Sequence, residues 1–278
     1  MSSTSYLRIV VLLACHNRAA ITKRFFESFN QSLTPEIEVQ FVVVDDGSTD
    51  NTWEIISQQP FLAHMIKGTG EWYWAKSMEV AEASILEVPD GILWLNDDLV
   101  LNEGALQKLI VAVKTFPEAV LVGQVYDFDG DSILYGGYRK NSIHPLKIKL
   151  IETSETYALA DTFNGNFVYV PILVRLAVGP IDGSYSHAYA DCDYGYRVRN
   201  AGYEIRVIPG EIGRCEGNTH PKYPGRLAKV NYLLSKKRNP LKSQIHFFWK
   251  FTEKKYKFLI PIFLIFPLLK IIIINETR

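Results

Sequence analysis

The N-terminal half of the chain alternates short apolar runs with polar turns and amphipathic segments. The apolar runs at 7–14, 39–44 and 92–95 are rich in Val, Ile and Leu and have the length of buried strands. Apolar residues recur at helical spacing at 21–29, from Trp53 onward, at 75–86 and from about Glu103. This alternation predicts an α/β fold with a mostly parallel sheet flanked by helices and right-handed crossovers.

The second half is less regular. Strands are predicted at 120–125, after a polar turn within 161–170, and at 202–208. Segment 128–144 has the pattern of a hairpin or an irregular insert, and helices are predicted at 171–178 and within 187–199. A chain of 278 residues suits one large α/β domain with an appendage.

Polar side chains follow three of the predicted strands at the point where each strand ends. They are His16 and Asn17, Asp45 and Asp46, and residues 96–98. In an open parallel sheet, ligands bind at the carboxyl ends of the strands. The first turn contains neither G-x-G-x-x-G nor the Gly-Lys-Ser/Thr of a P-loop. The sequence therefore predicts a ligand site at this edge, built without either fingerprint.

Two adjacent carboxylates, Asp97 and Asp98, end the strand that begins at Gly91. Side by side they repel each other and lose solvation, so a positive charge is expected near them. A hard divalent cation with oxygen ligands is the simplest source of that charge, and such an ion usually also holds a substrate phosphate. The alternative is that both residues only form a turn and cap the helix that begins near Glu103.

Two further segments are candidates for the site. Loop 67–76 combines two glycines, which let the backbone approach a ligand closely, with three aromatic residues suited to stacking; alternatively, its Trp residues pack on the sheet. Asp191 and Asp193 lie near the start of a predicted helix, where the dipole favours anions. They either cap that helix or supply a general base.

Composition and cysteine content narrow the class of protein. The hydrophobic content of 47% supports a sizeable core, and there are only three widely spaced cysteines. This pattern argues against a disulfide framework and a structural zinc, and fits a reducing cytosolic compartment. The stretch 1–6 is polar and uncharged, unlike a secretory signal.

The overall charge of zero hides an acidic body and a basic tail. Residues 221–278 carry thirteen Lys or Arg against two acids, a net charge of +11, and residues 1–220 carry the balancing −11. A basic tail suggests an anionic partner. A catalytic domain at 1–220 and an extension at 221–278 are therefore the expected division.

The apolar run 258–274 ends this tail and contains Pro261 and Pro267. A spanning helix needs about 20 apolar residues, and two prolines weaken its hydrogen bonding. Basic residues beside aromatic ones favour an element lying on an anionic leaflet. Packing on the body and a true span are the alternatives, and the long aliphatic block argues against nucleic acid as the partner.

Four motifs in order resemble one enzyme family. They are Ala14-x-x-Asn17-Arg18, the segment 44–50 (Val-Asp-Asp-Gly-Ser-Thr-Asp), the segment 95–98 (Leu-Asn-Asp-Asp), and Asp191-x-Asp193 followed by Arg197 and Gly202. Over residues 7–220 the chain resembles the inverting glycosyltransferase family 2. More narrowly, it is similar to bacterial members of rhamnosyltransferase type that build O-antigen or capsular polysaccharide.

The resemblance implies a GT-A fold, with a donor half at about 1–100 and an acceptor half at about 101–220. It implies a nucleoside-diphosphate sugar donor, UDP- or dTDP-linked, and a divalent Mg²⁺ or Mn²⁺ held by Asp98 and His220. Asp46 corresponds to the residue that contacts the nucleotide base. Asn96 replaces the first acid of the family's Asp-x-Asp motif. The implied nucleotide-sugar-binding residues are Ala14, His16, Asn17, Arg18, Asp45, Asp46, Gly70, Trp74, Lys76, Asn96 and Asp97.

The resemblance also implies roles in the acceptor half. Asp191 corresponds to the usual catalytic base, but Ala190 replaces the Glu that commonly precedes it. Asp193 therefore remains a second catalytic candidate, expected to cap or orient the helix if Asp191 is the base. The implied acceptor-binding residues are Asn164, Asn166 and His187.

The expected reaction is transfer with inversion to a glycan or lipid-linked glycan at the inner face of the cytoplasmic membrane. The sequence is also compatible with an oligomer. A nucleotidyltransferase is one alternative, although residues 14–20 lack the glycines of its phosphate loop. A catalytically silent nucleotide-sugar binding module is another, and donor hydrolysis on adding metal would distinguish it.

Overall fold

The computed structural model describes residues 6–130, 132–186, 188–217 and 241–273, with side chains as far as residue 266. The first half follows the predicted alternation. Its strands are β1 (Leu7–Cys15), β2 (Ile37–Asp45), β3 (Leu62–Lys67) and β4 (Gly91–Asn96). Its helices are α1 (Ala19–Ser32), α2 (Thr52–Ser57) and α3 (Tyr73–Ala83). The sequence analysis missed β3, because this edge strand is half exposed and lacks a long apolar run.

The second half adds strands of both directions. The strands are β5 (Val100–Leu101), β6 (Val120–Asp127), β7 (Ile133–Tyr135), β8 (Gly137–Lys140), β9 (Ile148–Leu150), β10 (Ala158–Ala160), β11 (Thr162–Phe163), β12 (Phe167–Pro171) and β13 (Ile205–Cys215). The helices are α4 (Ala105–Thr115), α5 (Ile172–Val178) and α6 (Ala190–Asn200). The predicted insert at 128–144 contains β7 and β8, and β8 pairs with β9 and β11 in a small separate sheet.

The main sheet has the strand order β3-β2-β1-β4-β12-β6-β13-β10. Strands β1 to β4 are parallel, whereas β12 runs antiparallel to both β4 and β6. The sheet is therefore mixed but mostly parallel in its donor half, as expected. In this register Ala14 lies opposite both Val44 and Asn96, and Asp45 lies opposite Cys15 and Lys67. The polar strand ends predicted from the sequence thus form one row.

Alternate residues of each central strand enter two separate core layers, as the pleat requires. From β1, Val11 joins a cluster with the α1 and α4 side chains, whereas Leu12 joins the opposite cluster with α3 and α6. On the first side, Phe25 and Phe29 of α1 meet Phe41 of β2 edge to face, with ring centroids 6.4 and 4.9 Å apart. This burial of aromatic area fixes α1 on the sheet.

The C-terminal region contributes to the second layer. The helix Leu241–Phe251, hereafter the aromatic helix, buries Phe247 and Phe248 completely. The ring of Phe247 lies 6.0 Å from that of Tyr196 in α6. A 3₁₀ turn (Lys254–Leu259) leads into the terminal helix, Ile260–Ile273. Across the described ranges, no helix combines the length and the apolar character needed to cross a membrane.

Candidate active site

The loops that follow β1 and β2 are tied to each other. The backbone N–H of Asn17 donates to Ser48 Oγ at 2.8 Å, and Asn17 Oδ1 accepts the N–H of Thr49 at 2.8 Å. Asn17 has a φ of 51°, a left-handed conformation that Asn tolerates better than most residues. His16 Nδ1 lies 2.6 Å from the carbonyl oxygen of Asp46 and so carries the proton. The two loops therefore form one rigid wall of the site.

Asp46 holds the glycine-containing loop in place. Its Oδ1 accepts the backbone N–H of Gly70 at 2.8 Å, and its Oδ2 accepts those of Trp72 and Tyr73 at 2.9 and 3.0 Å. A Cβ at Gly68 would lie 2.4 Å from Asp46 Oδ1, so glycine is needed for this close approach. The Asp46 carboxylate is thus occupied by the protein's own backbone.

Asp45 retains a carboxylate oxygen for a ligand. Its Oδ1 accepts the N–H of Ser48 at 2.8 Å, whereas its buried Oδ2 has no hydrogen-bond partner among the described residues. A buried acceptor without a partner is costly, so a ligand donor there would restore the lost hydrogen bond. Asp45 is fully buried, and its Oδ2 is the one carboxylate oxygen of the two adjacent acids that no described residue occupies.

The acidic end of β4 is held by residues of α1 and the loop before it. Arg18 Nη1 donates to Asp97 Oδ1 and to Asp98 Oδ2, each at 3.1 Å, and Thr22 Oγ1 donates to Asp97 Oδ2 at 3.2 Å. Burial raises the pKa of Asp97 to about 6, a rise that Arg18 opposes and Asp98 reinforces. Arg18 thus provides the positive charge that the sequence led us to expect.

Asp98 has one carboxylate oxygen that no described residue engages. Its Oδ1 is buried and has no partner among the described residues, while Arg18 engages its other oxygen. In the described part of the chain, no three His, Cys, Asp or Glu side chains cluster as a preformed metal site. Mg²⁺ commonly uses one or two carboxylates together with substrate phosphates. The residues present therefore fit an ion whose coordination a donor diphosphate completes.

Trp74 connects the acidic strand end to the second half of the chain. Its Nε1–H donates to Asn96 Oδ1 at 3.0 Å. The far edge of its indole covers Gly165, where an added Cβ would meet the ring at 2.8 Å. The Gly165 N–H in turn donates to Asp191 Oδ2 at 3.1 Å. These contacts place Asn96 and Asp191 on two sides of one site.

Asp191 is a partly buried carboxylate near the start of α6. It lies in the first turn of α6, and its Oδ1 accepts the N–H of Cys192 at 2.8 Å. Burial raises the pKa of Asp191, although the backbone N–H groups of Gly165 and Cys192 limit the rise. A carboxylate with a raised pKa is a stronger proton acceptor once it is deprotonated.

Asp193 instead forms the centre of a buried ion-pair network. It is completely buried, and its Oδ2 accepts a hydrogen bond from Arg197 Nε at 2.6 Å. Its Oδ1 accepts from Tyr185 Oη at 2.9 Å and from Lys250 Nζ at 2.5 Å. Both carboxylate oxygens of Asp193 are therefore occupied, so neither is left to accept a proton from an acceptor hydroxyl.

The other candidate residues divide into four groups. Asn164 and Asn166 flank Gly165, and each has a buried side-chain oxygen without a partner among the described residues. Lys76 forms an ion pair with Glu79 on its own helix, at 2.5 Å. Ala14 lies in the row of strand ends. His187 and His220 lie outside the described residues.

Two of the contacts that organise the site were missed by the sequence analysis. The Asn-Gly-Asn run at 164–166 can be read from the sequence and indicates a close backbone approach. The sequence does not show that Trp74 is the residue that packs on it. Lys250 lies 57 residues from Asp193 in sequence, so no local pattern connects them.

The comparison with family models decides the classification. The model described as Glycosyl transferase family 2 matches residues 10–170, more than half of the chain. The chain belongs to glycosyltransferase family 2. The matched stretch of this family 2 chain includes the first two loops, the acidic strand end and Gly165, whereas Asp191 lies beyond it. A comparison with curated protein sequences gave no match.

Solved structures establish the fold of this family 2 chain as GT-A type. TarS of S. aureus has a TM-score of 0.58 at 15% identity, covering 86% of this chain and 42% of TarS. The mannosyltransferase PcManGT from Pyrobaculum calidifontis, solved with GDP-Man and Mn²⁺, has a TM-score of 0.57 at 15% identity, covering 83% and 63%. GalNAc-T7, solved with UDP, GalNAc and Mn²⁺, has a TM-score of 0.60 at 12% identity, covering 82% and 48%. This chain therefore spans less than two thirds of each of the three.

Proposed function

We propose that the protein is an inverting glycosyltransferase with a UDP- or dTDP-sugar donor. It transfers the sugar to a hydroxyl of a glycan or lipid-linked glycan, with Mg²⁺ or Mn²⁺ at the donor diphosphate. The observation that supports this most strongly is the contact chain from Asn96 through Trp74 and Gly165 to Asp191. It brings an acidic strand end suited to a metal ion, which would hold the diphosphate, into one site with a carboxylate suited to a hydroxyl.

The proposed base is Asp191. An acceptor hydroxyl is a poor nucleophile, so Asp191 takes its proton as the oxygen attacks the anomeric carbon. The new C–O bond forms as the bond to the diphosphate breaks, and this single displacement inverts the configuration without a covalent sugar–enzyme intermediate. A divalent ion held through Asp98 would supply positive charge for the departing diphosphate.

Asp45 is the proposed contact to the nucleotide base. Uracil and thymine each carry a ring N–H, and the unpartnered Asp45 Oδ2 is an acceptor for such a group. The resemblance pointed to Asp46, whose carboxylate already accepts three backbone N–H groups. In our proposal, Asp46 holds the loop that covers the donor, and Asp45 reads the base.

The proposed location is the inner face of the cytoplasmic membrane, where the enzyme would serve bacterial surface-polysaccharide synthesis such as O-antigen or capsule. Support comes from the exposed apolar side chains of the C-terminal region. Trp249, Phe258 and Phe266 are 62%, 73% and 64% exposed. Lysines at 254, 255 and 257 lie beside them, and this combination suits an anionic leaflet.

The test is a panel of nucleotide sugars screened for metal-dependent release of the nucleoside diphosphate. Wild type should release it from at least one donor in Mn²⁺ or Mg²⁺, and Asp98→Ala should abolish release and weaken donor binding. Asn96→Asp is the matched control, because an aspartate oxygen still accepts the Trp74 N–H. Full turnover of Asp98→Ala in EDTA would refute the metal role, and tight donor binding without any turnover would favour a silent binding module.

A further inference from the structure

A cationic cleft lies between the C-terminal end of α6, strand β8 and the aromatic helix. Its volume is about 790 Å³, and five cationic and two acidic side chains line it. The cationic residues are Lys140, Arg199, Lys250, Lys254 and Lys257, and the acids are Asp161 and Glu253. None of these residues belongs to the donor site described above, although Lys250 also contacts Asp193.

Both acids in the cleft are already engaged. Asp161 Oδ2 accepts the backbone N–H of Lys140 at 2.8 Å, and its Oδ1 lies 4.0 Å from Arg199 Nε. Glu253 forms an ion pair with Lys255, outside the cleft, at 3.3 Å. Among the described residues, the ammonium groups of Lys140, Lys254 and Lys257 have no carboxylate within ion-pair distance. The cleft therefore carries an excess of positive charge.

The cleft lies near both Asp191, the candidate base, and the exposed apolar surface of the C-terminal region. Arg199 follows Asp191 by eight residues on α6, which corresponds to about 12 Å along the helix axis. Lys257 lies over the ring of Trp249, with its Nζ 4.4 Å from the centroid. An anion in the cleft would thus lie at the level of the exposed aromatic side chains, a short oligosaccharide's length from Asp191.

A helix C-terminus carries partial negative charge and disfavours an anion. Binding in this cleft must therefore come from side chains, and lysine and arginine are the residues that bind phosphate groups. Lys140, Lys254 and Lys257 line one cleft, and no described carboxylate pairs with their ammonium groups. Such a set suits a multiply charged phosphoryl group better than a single carboxylate.

We propose that this cleft binds the phosphoryl group of a lipid at the membrane surface. The proposal rests on the proposed function, because it identifies the end of a lipid-linked acceptor that lies away from the reacting hydroxyl. The shared chemistry is a phosphate ester on an apolar chain, supplied either by the acceptor's own diphosphate or by an anionic phospholipid headgroup. In both cases the lipid tail would lie along the exposed face of the terminal helix.

The test uses the full-length chain and two double variants with equal loss of charge. Lys254→Gln/Lys257→Gln removes two lysines of the cleft. Lys147→Gln/Lys242→Gln removes two exposed lysines that do not line it and form no ion pair with a described carboxylate. Binding is measured to phosphatidylcholine vesicles carrying a long-chain prenyl diphosphate, and to vesicles carrying phosphatidylglycerol at matched surface charge. Inorganic pyrophosphate is the soluble competitor.

The cleft variant should lose affinity for the phosphoryl-bearing vesicles by on the order of tenfold more than the control variant. A loss confined to prenyl diphosphate vesicles, with competition by pyrophosphate, identifies the acceptor diphosphate as the ligand. An equal loss on both vesicles identifies a phospholipid headgroup. Equal losses in the two variants would overturn the proposal, because charge alone would then explain binding.

Metal-dependent donor hydrolysis without acceptor separates this inference from the proposed function. Both double variants should keep wild-type hydrolysis, since neither alters Asp98, Asp45 or Asp191. Absence of hydrolysis in wild type for every donor would count against the proposed function, whatever the vesicle results. Normal hydrolysis with no cleft-specific loss would count against the cleft alone.

Discussion

The two acids at the start of α6 differ at the level of single residues, and this difference is testable. Asp191→Asn keeps the side chain's size but removes the proton acceptor, so transfer should fall by roughly 10²–10⁴ while donor affinity survives. Asp193→Asn leaves Arg197 and Lys250 without their buried counter-ion, which should cost about 3–5 kcal/mol of stability. Donor Kd, single-turnover rate and thermal melting of each variant decide the assignment. The assignment would be reversed if Asp193→Asn melted normally but lost transfer while Asp191→Asn transferred sugar freely.

The pH dependence of transfer provides a second check on Asp191. Burial raises the pKa of this carboxyl, and a general base acts only when it is deprotonated. Transfer should therefore be full at higher pH and fall as the pH drops through this raised pKa, above the range of an ordinary aspartate. Single-turnover rates measured at saturating donor should show this limb in wild type. The same limb in the residual activity of Asp191→Asn would mean that another group titrates.

Asp45 and Asp46 allow a similar comparison. Asp45→Asn keeps the Ser48 contact through Oδ1 but replaces the free acceptor with a donor, so donor KM should rise with little change in kcat. Asp46→Asn removes an acceptor for backbone N–H groups and should lower the melting temperature as well as donor affinity. Melting curves and steady-state kinetics would show this. Two results together would instead assign the base contact to Asp46, as the resemblance implies. They are unchanged kinetics in Asp45→Asn, and a raised donor KM with normal melting in Asp46→Asn.

At the level of secondary structure, the aromatic helix is part of the core. Phe247 and Phe248 are fully buried, whereas Trp249 on the same helix is 62% exposed. Phe247→Ala or Phe248→Ala should each cost about 3–5 kcal/mol. Trp249→Ala is the matched control, and its unfolding midpoint should stay close to that of wild type while vesicle binding weakens. Denaturant unfolding that affects Trp249→Ala as strongly as Phe247→Ala would contradict this packing.

For the molecule as a whole, the C-terminal region packs into the core, and we propose that it also contacts the membrane. A chain ending at residue 259 keeps the aromatic helix and the lysines of the cleft but loses the exposed apolar face of the terminal helix. It should therefore fold, bind donor and bind membranes more weakly than wild type. A chain ending at residue 240 loses Phe247, Phe248 and the Lys250 contact to Asp193, and should not unfold cooperatively. Vesicle sedimentation and calorimetry of both would test this. Equal membrane recovery of wild type and the shorter-tailed chain would refute the membrane role of the terminal helix.

The sequence by itself determined the α/β alternation and the row of polar strand ends. Both depend on local periodicity, and the carboxyl ends of neighbouring parallel strands meet at one edge whatever the details of packing. His16, Asn17, Asp45 and Asn96 were therefore identifiable, as was the family. The half-exposed strand β3 was not, because an edge strand needs no long apolar run.

Only the tertiary structure decided which carboxylates in each pair of neighbouring candidates already have hydrogen-bond partners within the protein. Asp45 and Asp46 are indistinguishable as letters, yet one carboxylate is filled by backbone N–H groups and the other retains a free oxygen. Asp191 and Asp193 are separated in the same way by Lys250, which comes from a distant helix. Hydrogen-bond partners and burial arise from contacts between segments far apart in sequence, and a local pattern contains no information about them.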